Sequence, residues 1–185
     1  MEETLCYIGR KLNDHHIRWA VGASVMLHQL GLIEHPQDVD IHVATEDIDK
    51  ADEIFQSIGQ KQPKKKTKQY STQFFYQYKV NGVDIDVMAG LAINCADGIF
   101  QHVFDQQSIS QVISKRGVKI PFAALEDWFV LYLLLPKREV KVEMIENYLQ
   151  LYGLQHPFLL ERALRGYIPK EARERVIRLL GRDKV

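Results

Sequence analysis

The sequence predicts a mixed α/β fold, an α+β sheet flanked by helices with a mainly helical C-terminal lobe, on three observations. Short apolar runs of strand length alternate with segments of helical period through the first half. Two of those runs, Gln73–Val80 and Val83–Met88, are joined by Asn81-Gly82, the strongest short signal for a β-hairpin. From Ala123 onward the spacing is helical almost throughout.

Residues 3–15 place Leu5, Ile8 and Leu12 at helical spacing. Ile17–Val21 reads as a strand that runs into Gly22-Ala23-Ser24, where a second helix begins and ends near Gly31. Strand Val39–Val43 follows a loop at Pro36. A helix then starts at Thr45, the expected N-cap, with Glu46 and Asp47 in its first turn, where the dipole favours acids. Gln60–Gln69 reads as a loop containing Pro63. After Gly90 the signal weakens until a second hairpin, Ile109–Ile113 with Val118–Ile120. Ala123–Leu135 is apolar on nearly every side, as a buried helix is. Val140–Tyr152, Phe158–Leu164 and Pro169–Leu180 complete the helices, the last opened by Pro169 and closed by Gly181. This divides the chain into an α/β part, residues 1–107, and a helical part, residues 108–185.

Composition narrows the functional classes. The chain has 185 residues, 46% of them hydrophobic, which excludes disorder, and its formal net charge is zero, so no global field selects nucleic acid or membrane. Cys6 and Cys95 have no metal spacing and read as buried thiols. No signal peptide opens the chain, and the longest apolar stretch, Trp128–Leu135, falls short of the roughly 20 residues a bilayer span needs. A soluble cytoplasmic protein is the expectation.

Two acidic strands carry the chemistry. Asp38 and Asp40 flank Val39, and residues i and i+2 of a strand project to one face with α-carbons roughly 6–7 Å apart. Val83-Asp84-Ile85-Asp86-Val87 supplies a third carboxylate, and such a cluster calls for cations. Magnesium suits it, being a hard ion held by few carboxylates and completed by water and substrate phosphates. The glycine-opened helix at Gly22-Ala23-Ser24 offers unpaired N–H groups to phosphate, with the Ser24 hydroxyl as a further donor. Two ions beside a polyphosphate suit phosphoryl or nucleotidyl transfer.

Gly22-Ala23-Ser24, Asp38-Val39-Asp40-Ile41 and Val83-Asp84-Ile85-Asp86-Val87 together resemble the DNA polymerase β-like nucleotidyltransferase superfamily. The likeness is greatest to small bacterial members, including aminoglycoside nucleotidyltransferases and abortive-infection-type nucleotidyltransferase toxins. The resemblance spans residues 17–90. It implies that Asp38, Asp40 and Asp86 bind two magnesium ions and act in catalysis, and that Gly22, Ala23 and Ser24 hold nucleotide phosphates. It further implies an NTP substrate whose nucleoside monophosphate passes to a hydroxyl acceptor, whether small molecule, protein or RNA. Asp86 is preferred to Asp84 because the acid sits within a Gly82-to-Gly90 run, although Asp84 shares its face. Two residues depart from the pattern: Ala23 stands where Gly or Ser is usual, and Tyr132 where relatives carry lysine. The alternative is a catalytically degenerate binding module, such as a toxin–antitoxin component.

Other residues have plainer readings. His42 reads as a polar residue at the cleft rim and His28 as a satisfied buried histidine. Lys61, Lys64, Lys65 and Lys66 form a solvated loop or an electrostatic grip on RNA or triphosphate. Phe74, Phe75, Tyr76 and Tyr78 alternate like a buried strand. Arg162, Arg165, Arg173 and Arg178 read as surface charge, with one or two in reach of phosphate.

Overall fold

The structure, a computed structural model, describes residues 1–63 and 68–182. Helix α1 (Glu2–Asp14) buries Leu5, Ile8 and Leu12. Strand β1 (Trp19–Val21), helix α2 (Ala23–Gln29) and strand β2 (Val39–Val43) follow. A 3-10 turn at Thr45–Asp47 then leads into helix α3 (Ile48–Ile58). Thr45 is not the N-cap expected of it: Ala44 and Asp47 hold the two cap positions, neither with a side-chain cap bond. The acids there serve another end, because Asp47 Oδ2 accepts from the Arg18 N–H at 2.8 Å and Glu46 pairs with the Arg18 guanidinium.

Strand β3 (Gln60–Lys61) is a short edge strand at the start of what reads as a loop. Strands β4 (Phe74–Val80) and β5 (Val83–Ala89) form the expected hairpin. Asn81 and Gly82 both take positive φ, 48° and 79°, which the two-residue turn requires. The weak region after Gly90 contains a separate hairpin, β6 (Ala92–Cys95) and β7 (Gly98–Gln101). Strands β8 (Ile109–Lys115) and β9 (Val118–Ala123) precede helices α4 (Leu125–Leu134), α5 (Glu139–Tyr152), α6 (Pro157–Arg165) and α7 (Lys170–Arg182). Gly181 lies inside α7 rather than ending it.

Seven strands form one mixed sheet in the order β3-β4-β5-β2-β1-β9-β8, and β6-β7 form a second. Neighbours β2 and β5 run parallel, as do β1 and β9 through Val21↔Phe122. The hairpin β8-β9, which lies after residue 107, therefore belongs to the sheet that carries the acidic strands. Val21, Ile41, Ile85, Val87, Phe122 and Phe129 have no exposed surface and form the centre of the core. Removing the ring of a side chain so buried, as in Phe129→Ala, costs about 3–5 kcal/mol.

Candidate active site

The parallel pairing of β2 with β5 sets the acids side by side. Asp40 lies opposite Asp86 and His42 opposite Met88, while on the far side of β5 Gln77 faces Asp86 and Phe75 faces Met88. Along β5 this face changes from carboxylate to apolar within two residues and along β4 from amide to aromatic, while β2 passes from Asp40 to His42. Asp38, Asp40 and Asp86 line one cavity of about 540 Å³. The Asp40 carboxyl is pushed up to about 8, first by burial and then by the charges of Asp38 and Asp86, while Lys141 and Arg138 pull it back. Asp86 Oδ1 accepts from Gln77 Nε2 at 2.9 Å. Asp84 is exposed and pairs with Lys79 at 3.2 Å, so Asp86 is the acid of β5 that faces Asp40.

Two of the three phosphate-binding candidates, Ala23 and Ser24, border the same cavity, and Gly22 does not. Gly22 N–H donates to Asp40 O at 3.0 Å, which ties the start of α2 to the acidic strand. The Ser24 hydroxyl donates to Asp38 O at 3.1 Å. Ala23 takes φ 44°, a left-handed conformation that costs an L-residue roughly 1–2 kcal/mol. Gly22 has the indole of Trp128 lying against its α-carbon. Ala23 and Ser24 line the cavity.

Helices α4 and α5 form the opposite wall and contribute residues that the sequence did not single out. Arg138 and Lys141, one turn apart, both border the cavity. The Lys141 ammonium lies 3.5 Å from the Tyr132 hydroxyl and 5.1 Å from its ring centroid. Burial and Arg138 lower the Lys141 pKa, and Asp40 and Asp38 oppose that shift. A cation therefore stands beside Tyr132, the position where the resemblance led one to expect lysine. No local pattern in an amphipathic helix marks Arg138 and Lys141; only the packing of α5 over the sheet does so.

Behind this wall is a buried polar cluster. His42 is 2% exposed, not at the rim, with its ring 5.3 Å from those of His102 and Trp128. Burial, then the His102 charge, drives the His42 pKa well below normal, so it is neutral. His102 Nε2 lies 3.1 Å from Asp127 Oδ2, a close contact without hydrogen-bond alignment. Glu126, 1% exposed, accepts from the Gln155 and His156 N–H groups at 2.8 and 2.7 Å and so caps α6. Arg162 donates to Asp105 Oδ2, Val103 O and Ser108 Oγ, which ties α6 to the segment before β8. His28 is exposed rather than buried, its Nδ1 3.0 Å from Ile33 O. Lys61 pairs with Asp52 and lies 3.9 Å over the Tyr76 ring, whereas Lys64, Lys65 and Lys66 lie outside the described residues.

Among the described residues, no three His, Cys, Asp or Glu side chains converge tightly enough to hold a metal ion as they lie. The chemistry of the donor set nevertheless suits a hard cation: Asp40 and Asp86 face each other on adjacent strands with Asp38 just before β2, and Asp40 is destabilised as an anion by burial and then by the other two. Among the described residues, no helix is long and apolar enough to cross a membrane.

The architecture is the nucleotidyltransferase fold, as the sequence resemblance implied. Over 80% of this chain it is similar to a candidate nucleotidyltransferase from Thermotoga maritima, of which it covers 91%, with TM-score 0.62 and 23% identity. It is also similar to ANT(2")-Ia in complex with adenylyl-2"-tobramycin (TM-score 0.54, 12% identity, 96% of this chain and 92% of that one). A third likeness is to the lincosamide antibiotic adenylyltransferase LnuA with lincomycin bound (TM-score 0.54, 13% identity, 79% of this chain and 96% of that one). No protein-family model and no curated protein matches the sequence.

Proposed function

We propose that the protein is a magnesium-dependent nucleotidyltransferase that moves a nucleoside monophosphate from an NTP to a hydroxyl acceptor. The observation that carries this reading is the pairing of Asp40 with Asp86 on parallel strands, with Asp38 on the same cavity. Like charges so placed destabilise the fold unless a cation shares them, and the pKa of Asp40 registers that cost. Asp38, Asp40 and Asp86 would hold the ions, whose chemistry is to neutralise phosphate charge and polarise the reacting phosphorus. Asp86 would also orient the acceptor hydroxyl, held meanwhile by Gln77.

The protein's own groups divide the remaining work. Ala23 and Ser24 would present N–H groups to the phosphates, with the Ser24 hydroxyl turning from Asp38 O, while Gly22, its N–H bound to Asp40 O, would hold the turn in place. Arg138 and Lys141 would meet the outer phosphates from the opposite wall, the only Lys or Arg among the described residues that line the cavity. That arrangement supports an enzyme over a degenerate binding module, because Lys141 supplies the cation that Tyr132 lacks. The apolar end of the cavity, with Phe75, Met88, Leu91 and Ile93, would exclude water from the base or the acceptor.

Titration calorimetry with Mg-ATP, and with the other nucleoside triphosphates in turn, tests the reading. Binding should require magnesium and be lost in Asp38→Asn and Asp40→Asn proteins that remain folded. Absence of binding at millimolar NTP by the wild-type chain would overturn it.

A further inference from the structure

Four side-chain hydroxyls border the cavity that holds the acids: Ser24, Tyr70, Thr72 and Tyr132. Three are engaged. Ser24 donates to Asp38 O at 3.1 Å, and Thr72 Oγ1 both accepts from Ala92 N–H and donates to Ala92 O. Tyr132 is 3% exposed with Lys141 against its oxygen. The Tyr70 hydroxyl has no hydrogen-bond partner among the described residues, and its side chain is 38% exposed. The backbone around it is pinned: Tyr70 bridges Ile93, Ser71 N–H donates to Ala92 O at 3.0 Å, and Asn94 N–H donates to Gln69 O at 2.8 Å. The backbone that carries an available phenol is thereby anchored at the wall of the acidic cavity.

We infer that the enzyme modifies itself, using Tyr70 as a hydroxyl acceptor, an inference that rests on the transferase reading above. The Tyr70 oxygen attacks the α-phosphorus of bound NTP and forms a phosphodiester with the nucleoside monophosphate. The bond from that phosphorus to the oxygen bridging the β-phosphate breaks, and pyrophosphate leaves with the electron pair. The phenolic proton passes to a carboxylate of the acid cluster. Burial raises the Tyr70 pKa, Arg138 opposes it, and Asp40 and Asp86 add to the rise, so the proton leaves as the new bond forms rather than beforehand. A nucleotide fixed to Tyr70 would occupy the cleft, so the modified protein would be shut to further NTP. The reaction therefore doubles as an off-switch when no external acceptor is present.

The test is to incubate the purified full chain with magnesium and each α-labelled ribonucleoside triphosphate, then to map the label by peptide mass spectrometry. Label on Tyr70, reduced at least tenfold in Tyr70→Phe, supports the inference. Label on another residue overturns it, as does no label in a wild-type protein that binds Mg-NTP by calorimetry, and both leave the transferase reading standing. A wild-type protein that binds no NTP overturns both together. Melting temperature of Tyr70→Phe guards against loss of fold, and the mapped site on the wild-type chain decides the matter independently of that variant.

Discussion

Gly22 and Trp128 are a fitted pair: a Cβ on Gly22 would stand 2.2 Å from Trp128 Nε1 and 2.4 Å from Cε2 and Cζ2. Such overlap cannot be absorbed at the end of a flexible chain, because the indole is 4% exposed and packed against His42 and Tyr132. Gly22→Ala should therefore destabilise by about 1–3 kcal/mol, the range for overpacking. Adding Trp128→Leu should recover most of that loss. Chemical denaturation of both single variants and the double variant measures the coupling, and additive effects would show that the clash is not what matters.

Asp40 makes a prediction about pH. Its pKa is about 8 in the folded chain and near 3.8 when unfolded, so the folded state holds the proton more tightly. The stabilisation from this group is complete below pH 4 and is lost as the pH rises towards 8. Without divalent cations, the wild-type melting temperature should fall between pH 5 and 8 relative to Asp40→Asn. The variant should melt higher at pH 8 by several degrees while losing transferase activity. Magnesium should flatten the wild-type profile and leave that of Asp40→Asn unchanged.

Ala23 occupies a conformation that glycine adopts without cost. In an ordinary helix Ala→Gly costs about 1 kcal/mol, but here relief of the left-handed strain should cancel it. Ala23→Gly should be neutral or slightly stabilising, and Ala23→Val should cost about 2 kcal/mol. Thermal unfolding of the pair distinguishes this from a helix of normal geometry, in which the order would reverse.

Lys141 and Arg138 should distinguish triphosphate from monophosphate. Lys141→Met should weaken Mg-NTP binding about tenfold, roughly 1.4 kcal/mol, with Arg138→Met similar. Binding of the corresponding nucleoside monophosphate should change far less. Equal losses for both ligands would place these cations away from the outer phosphates.

Much of the candidate site's geometry was legible because its logic is local. Asp38 immediately precedes β2 and Asp40 lies on it two residues later, and the family resemblance, through the acid's place in the Gly82-to-Gly90 run, favoured Asp86 before any coordinates. The choice over Asp84 becomes physical in the pairing of Asp86 with Asp40 and the capture of Asp84 by Lys79. What escaped depends on contacts between distant segments. Trp128 reads only as an apolar helix residue, and nothing near it announces Gly22. His42 follows the alternation of its strand, yet its burial comes from α4 and the segment after β7. Strands β6 and β7 have four residues each, too few for period-two patterning to be visible.

The place of β1 has a consequence for synthesis. It lies between β2 and β9, and its parallel neighbour, β9, is more than ninety residues later in the chain. A nascent chain that has emerged only to residue 107 thus leaves one edge of β1 bare, with Gly22 at its end and no Trp128 to cover it. Such an edge invites pairing with other chains. Fragments stopped there should aggregate, whereas those carried through α4 should remain dispersed, as light scattering of ribosome-released truncations would reveal. Strand β1 is the first to be made, and its second neighbour comes only with β9.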